Sequence, residues 1–260
     1  MIDKSKNDSD KFTPWRDLVI AIGFFTRLPV PFKVPFEPNS LVKSVWAFPI
    51  AGLVVGLIGA ITFSLATALG LNAWLAAFLT IGATAITTGA LHEDGLADFF
   101  DGLWGGFSPA RRLEIMRDSS IGGYGTLALI VATGLKVSSL ASLDPNFILA
   151  SVVAAHSLSR GLLPIVMNHM DLAGKPGLAA SVGRSEKTLS LIALFIGIAM
   201  ALALLGPLAG ISAVILTAAL TYAMMKLAQY KLGGYNGDTL GAIQQITEIA
   251  VLICCSAYFI

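Results

Sequence analysis

Residues 188–205 read TLSLIALFIGIAMALALL and residues 208–228 read LAGISAVILTAALTYAMMKLA. Gly206–Pro207 separates them, and Lys226 is the one charged side chain in either. A helix that crosses a bilayer needs about 20 mostly apolar residues. Each stretch is therefore a span, with a tight uncharged turn between them. The same reading carried outward gives further spans at about 44–69, 72–91, 124–143, 147–168 and 239–260. The segment 18–31 is short and is broken by Arg27, Pro29 and Pro31. It reads as a re-entrant or interfacial piece; a full span there would move the N-terminus across the membrane. The expected fold is all-α, a polytopic transmembrane helix bundle of about seven spans plus that short N-terminal segment.

Composition agrees. Only 13% of the 260 residues are charged and 55% are hydrophobic, where a soluble domain carries about a quarter charged. The surplus apolar surface must face a lipid bilayer. A net charge of +1 leaves no bulk field to attract nucleic acid. Cys254 and Cys255 are neighbours in an apolar stretch and read as packing residues. Residues 1–17 read as a polar cytoplasmic tail rather than a cleavable signal peptide, and 18–260 as a single transmembrane catalytic domain.

Charge also orients the bundle. All Lys and Arg except Lys136 and Arg160 lie in the tail, the broken first segment, the loops 32–43, 92–123, 169–187 and 229–238, or beside them at Lys226. The joints at 70–71, 143–146 and 206–207 carry none. The positive-inside rule places the charged loops in the cytoplasm, so the functional side chains open on one side.

The span at 72–91 runs into His92-Glu93-Asp94-Gly95-Leu96-Ala97-Asp98-Phe99-Phe100-Asp101-Gly102. If the helix continues, Asp94, Asp98 and Asp101 fall within roughly a 60° arc. Two such charges about 6 Å apart repel by roughly 3 kcal/mol at an effective dielectric near 20. A divalent cation reverses that sign, and carboxylate oxygens suit Mg²⁺, which also takes substrate phosphates. The competing reading is an acidic helix end neutralised by Arg111, Arg112 or Arg117. Glu93 lies off the stripe and reads as a surface charge. Downstream, Ser108-Pro109 starts a basic helix, and Arg117, Asp118 and Gly122-Gly123-Tyr124-Gly125 lead into the next span. Arg forks suit phosphate, and helix N-termini behind glycines attract anions. Gly233-Gly234-Tyr235-Asn236-Gly237-Asp238 repeats that design before the last span. Lys136, His156, Arg160, Gln244, Gln245 and Glu248 lie within spans, where ionisable groups are functional candidates or interhelical ties.

These residues carry a specific resemblance. Phe25-Thr26-Arg27-Leu28-Pro29-Val30-Pro31, Leu91-His92-Glu93-Asp94-Gly95-Leu96-Ala97-Asp98 with Asp101-Gly102, Glu114-Ile115-Met116-Arg117-Asp118-Ser119, and Gly233-Gly234 with Gly237-Asp238-Thr239-Leu240-Gly241-Ala242 resemble the cobalamin synthase (adenosylcobinamide-GDP ribazoletransferase) family from end to end. The resemblance implies a multi-pass inner-membrane enzyme. It would join adenosylcobinamide-GDP, a corrinoid nucleotide, to α-ribazole or its 5'-phosphate and release GMP, with Mg²⁺ as cofactor. On it, Asp94, Asp98, Asp101 and Asp118 are expected to be catalytic and to hold the metal. Arg27, His92, Arg117, Ser119, Arg160 and Asp238 are expected to bind substrate, in an open cavity between helices. Whether the chain forms a homo-oligomer is open from sequence.

The acidic helix also resembles that of CDP-alcohol phosphotransferases, through Asp98-Phe99-Phe100-Asp101-Gly102. Leu103-Trp104-Gly105-Gly106 then departs from that family's pattern. A third alternative, a transporter with a midplane ion site, predicts paired repeats, and no internal repeat is visible.

Overall fold

The computed structural model describes residues 13–30, 38–174 and 184–260. Residues 1–12 of the expected tail, Pro31 and parts of the loops 32–43 and 169–187 lie outside the described residues. The elements are α1 (Pro14–Phe25), α2 (Pro38–Lys43), α3 (Phe48–Ala68), α4 (Ala73–Thr88), α5 (Leu91–Gly105), α6 (Pro109–Ile115), α7 (Gly123–Ser142), α8 (Ile148–His169), α9 (Lys187–Leu232) and α10 (Gly237–Tyr258). Single 3-10 turns, Val45–Ala47 and Pro145–Phe147, lead into α3 and α8.

Five of these helices are long and apolar enough to cross a membrane, or six if α4 and α5 count as one bent span. α8 and α10 are the most buried of them, and α7 and α9 the least, so α8 and α10 form the centre. Close approach comes from small residues, as in many membrane bundles. A Cβ on Gly56 of α3 would stand 2.7 Å from the Val153 Cα of α8. α1 is 12 residues long, about 18 Å, which is too short to cross. That fits the re-entrant or interfacial expectation for this region.

α9 contains two of the expected spans. A straight helix of 46 residues would be about 69 Å long, over twice the hydrocarbon core. Gly206 breaks it, with φ 75° and ψ 174°. A Cβ on Gly210 would meet the Leu202 Cα at 3.0 Å, a contact that helical residues eight apart cannot make. The chain therefore folds back on itself at Gly206–Pro207.

The acidic segment is helical, but as a helix of its own rather than a continuation of α4. α4 ends at Gly89 in the left-handed region (φ 65°), a common helix stop. Ala90 follows at φ 55°, the one non-glycine residue with positive φ among those described. α5 then leaves at 92° to α4. Its four carboxylates make α5 a poor spanning segment. Arg27 braces the turn: its amide donates to the Thr87 carbonyl at 2.7 Å, and its side chain lies over Gly89.

The backbone at Gly206 is open to glycine and strained for other residues, while nothing stands within 4 Å of a Cβ there. Gly206→Ala should lower stability by about 1–3 kcal/mol, read from thermal denaturation in detergent. An unchanged melting temperature would mean that the chain does not reverse there.

Candidate active site

The acidic face of α5 is completed by α10. Gly95 and Gly241 let the two helices touch backbone to backbone: a Cβ on Gly95 would meet the Gly241 Cα and the Asp238 Cα at 3.2 Å each. This contact sets Asp238 beside α5. Asn236 caps α10, accepting from the Thr239 amide at 2.9 Å, and its Nδ2 donates to Asp238 Oδ2 at 2.8 Å. Asp94 is exposed and Asp98 half-buried. Burial, then the Asp94 and Asp101 carboxylates, push Asp98 up to about 6. Asp94 and Asp98 also act electrostatically on Asp238, opposed by Arg117. Asp94, Asp98, Asp101 and Asp238, from two helices, thus share one negative field.

Asp101 does something else. It is buried, and its two oxygens accept the Gly122 amide at 2.7 Å and the Gly125 amide at 2.8 Å. Both positions need glycine, because a Cβ at either would collide with the Asp101 carboxylate. The anion drawn to the N-terminus of α7 is therefore the chain's own Asp101. Asp118 is exposed. Its Oδ1 accepts the Ser120 amide at 2.9 Å and the Ser120 hydroxyl, which hold it below the usual carboxylate range. Asp101, Asp118, Arg111, Ser120 and Tyr124 line a cavity of about 280 Å³ that none of Asp94, Asp98 or Asp238 reaches.

The expected set Asp94, Asp98, Asp101 and Asp118 is thus divided. Asp94 and Asp98 face Asp238, while Asp101 and Asp118 look onto the loop before α7. Among the described residues, no three His, Cys, Asp or Glu side chains converge closely enough to enclose an ion. Mg²⁺ commonly takes one or two carboxylates, with water and phosphate oxygens filling the rest. The mutual repulsion of the α5–α10 carboxylates and the exposure of Asp94 fit that mode of binding.

The expected substrate contacts also separate. Arg27, Arg117 and Ser119 are exposed. Arg117 reaches toward Gly174, where a Cβ would lie 3.3 Å from its Nη2. His92 and Arg160 are 3% and 1% exposed and face the bundle interior. Arg112 is a structural tie: its guanidinium donates to the Leu103 and Lys231 carbonyls at 3.4 and 3.1 Å. An apolar groove of about 440 Å³ does run between helices, lined by Leu96, Phe100, Tyr124, Val131, Leu220 and Ile249.

Glu93 corrects the surface reading. It turns inward, where Oε1 accepts from Gln245 Nε2 at 3.1 Å and lies 3.7 Å from Lys136 Nζ. One signal could have found it: away from the span ends, the fixed cations Lys136 and Arg160 stand against the single carboxylate Glu248, which leaves room for a second buried anion.

Residues 17–256 match the family model described as cobalamin-5-phosphate synthase. A protein of Mesorhizobium japonicum called adenosylcobinamide-GDP ribazoletransferase is 44% identical over 92% of this chain and 92% of its own length. Its namesake in Bradyrhizobium diazoefficiens is 42% identical over 93% and 94%. That of Sinorhizobium medicae is 38% identical over 92% and 95%. No solved structure matches.

Asp101→Asn would turn one acceptor into a donor facing backbone donors. The variant should lose about 1–3 kcal/mol of stability, measured by denaturation in detergent, while Asp118→Asn on the exposed loop leaves the midpoint unchanged. Equal midpoints for wild type and Asp101→Asn would show that Asp101 does not cap α7.

Proposed function

The chain belongs to the cobalamin-5-phosphate synthase family, and on that premise we propose that it joins adenosylcobinamide-GDP to α-ribazole, or to α-ribazole 5'-phosphate, releasing GMP. It is a membrane enzyme of cobalamin synthesis. The reaction is placed at a cytoplasm-facing, Mg²⁺-dependent site in the cell inner membrane. The observation that carries this reading is the meeting of Asp94 and Asp98 with Asp238 where Gly95 packs on Gly241, with Arg117 close by.

A ribose hydroxyl of α-ribazole attacks the phosphorus on the cobinamide side of the diphosphate. The new P–O bond forms as the bond to the GMP oxygen breaks, and the hydroxyl proton is lost to a carboxylate. Such transfers depend mainly on positioning and on charge that balances the phosphoryl oxygens. One or two of Asp94, Asp98 and Asp238, with water and substrate phosphate oxygens, would hold Mg²⁺, and the ion would supply positive charge beside the phosphoryl oxygens. Arg117 and Arg27, both exposed on the α5 side, orient the diphosphate through guanidinium forks. Asp118 makes a poor proton acceptor near neutral pH, because Ser120 stabilises its ionised form. The proton therefore passes to the α5–α10 carboxylates.

Purified protein with Mg²⁺, adenosylcobinamide-GDP and α-ribazole should release GMP. Release of CMP from a CDP-alcohol instead would reassign the chemistry. Asp94→Asn should cut turnover at least ~100-fold while the protein still inserts and folds; full activity in that variant would remove Asp94 from the site.

Acidity gives a separate check. Asp98 binds a proton more tightly in the folded chain, from the ordinary aspartate value of 3.8 up to about 6. Its contribution to stability is therefore greatest at low pH and falls as pH rises through that window. In protein stripped of divalent ions, added Mg²⁺ should raise the melting temperature more at pH 8 than at pH 5. An equal rise at both would place the ion elsewhere.

A further inference from the structure

We infer that Glu248, buried in the middle of α10, is a positioning residue that fixes the acidic face of α5 from inside the bundle. The inference rests on the reading of that face as the active site. α5 begins with no side-chain cap and follows two left-handed residues, Gly89 and Ala90. Arg27 braces the end of α4 at Thr87 and Gly89, ahead of the first residue of α5. The first turn of α5 is gripped from beneath, by His92 and Glu93.

The grip is electrostatic and spans three other helices. Glu248 Oε1 lies 2.6 Å from Lys136 Nζ of α7. Glu248 Oε2 lies 2.9 Å from His156 Nδ1 and 3.9 Å from Arg160 Nη1, both of α8, and accepts from Gln244 Nε2 at 2.6 Å. Each cation gathered by Glu248 also reaches α5. Lys136 Nζ stands 3.7 Å from Glu93 Oε1, and Arg160 Nη2 stands 3.4 Å from His92 Nδ1. Phe25 closes the set: its ring stacks on His92 with centroids 5.4 Å apart, and Arg160 lies 5.6 Å over it. One carboxylate thus collects a cation from each of two helices, and those cations set the residues immediately before Asp94.

The arrangement is strongest at Glu248 and weakest at α5. Glu248 has close partners on both oxygens, whereas His92 Nε2, Glu93 Oε2 and Arg160 Nε are buried without a partner among the described residues. Removing the charge of Glu248 leaves Lys136 and Arg160 as buried cations with Glu93 as the remaining carboxylate near them. A buried charge stripped of its partner forces a rearrangement, and the groups those cations reach next, His92 and Glu93, form the first turn of α5. Asp94 and Asp98 then lose their register against Asp238.

The test uses Glu248→Gln, with the double variant Lys136→Met/Glu248→Gln in reserve should the single one fail to fold, because it removes both members of the closest pair. In a Cys254→Ala/Cys255→Ala background, spin labels on Trp104→Cys of α5 and Ile61→Cys of α3 report the placement of α5. Labels on Ile61→Cys and Ile215→Cys of α9 report the rest of the bundle. All three label sites are exposed. The expected result is a broadened distance distribution for the α5 pair alone. A fall in kcat for GMP release of about 10–100-fold, with little change in KM, should accompany it. An α5 distribution as narrow as that of wild type overturns the inference, whatever the activity. Equal broadening of both pairs overturns it too, since that is general loosening. If the wild-type protein releases no GMP, the proposed reaction fails while the distances still decide the positioning role.

Discussion

A helix that carries Glu93, Asp94, Asp98 and Asp101 cannot be laid through hydrocarbon at acceptable cost. The right-angle turn at Gly89–Ala90 is how the chain meets that constraint. The turn ends α4 and lays α5 along the edge of the bundle. Everything chemical follows from that placement. α5 presents Asp94 and Asp98 outward, passes Gly95 under Gly241, aims Asp101 at α7 and sends His92 and Glu93 inward. One short helix therefore serves a surface site, a helix cap and a buried charge network with different faces.

The division among the carboxylates follows from local geometry. Oxygens near the first amides of a helix are drawn to them, and Asp101 is close enough to be captured by Gly122 and Gly125. Asp94 and Asp98 have no such donors in reach. Their charge is left to repel that of Asp238, which the Asn236 cap and the start of α10 hold in place. Unrelieved repulsion at an exposed edge is the condition under which a divalent ion and a diphosphate gain most from binding together.

Much of this was legible in the chain. Long uncharged stretches mark spans because hydropathy integrates over 20 residues and tolerates local error. The fold-back at Gly206–Pro207 was readable because both residues interrupt a helix. The i, i+4 spacing of Asp94 and Asp98 was readable for the same reason, being local. The bend before α5 was hidden, since Gly89 is a weak signal and Ala90 favours helix. The partner of Asp94 and Asp98 was also hidden. Asp238 lies far along the chain and arrives by tertiary packing at Gly95–Gly241. The amides that meet Asp101 and the inward turn of Glu93 were hidden too, because an arc on a helix does not say what faces it.

The most direct measurement is Mn²⁺ binding to the purified protein by electron paramagnetic resonance, with Mg²⁺ as competitor. A site formed by α5 and α10 should lose Mn²⁺ in Asp94→Asn, Asp98→Asn and Asp238→Asn and keep it in Asp118→Asn. Binding abolished in Asp118→Asn but intact in Asp238→Asn would contradict the account and move the ion to the loop before α7.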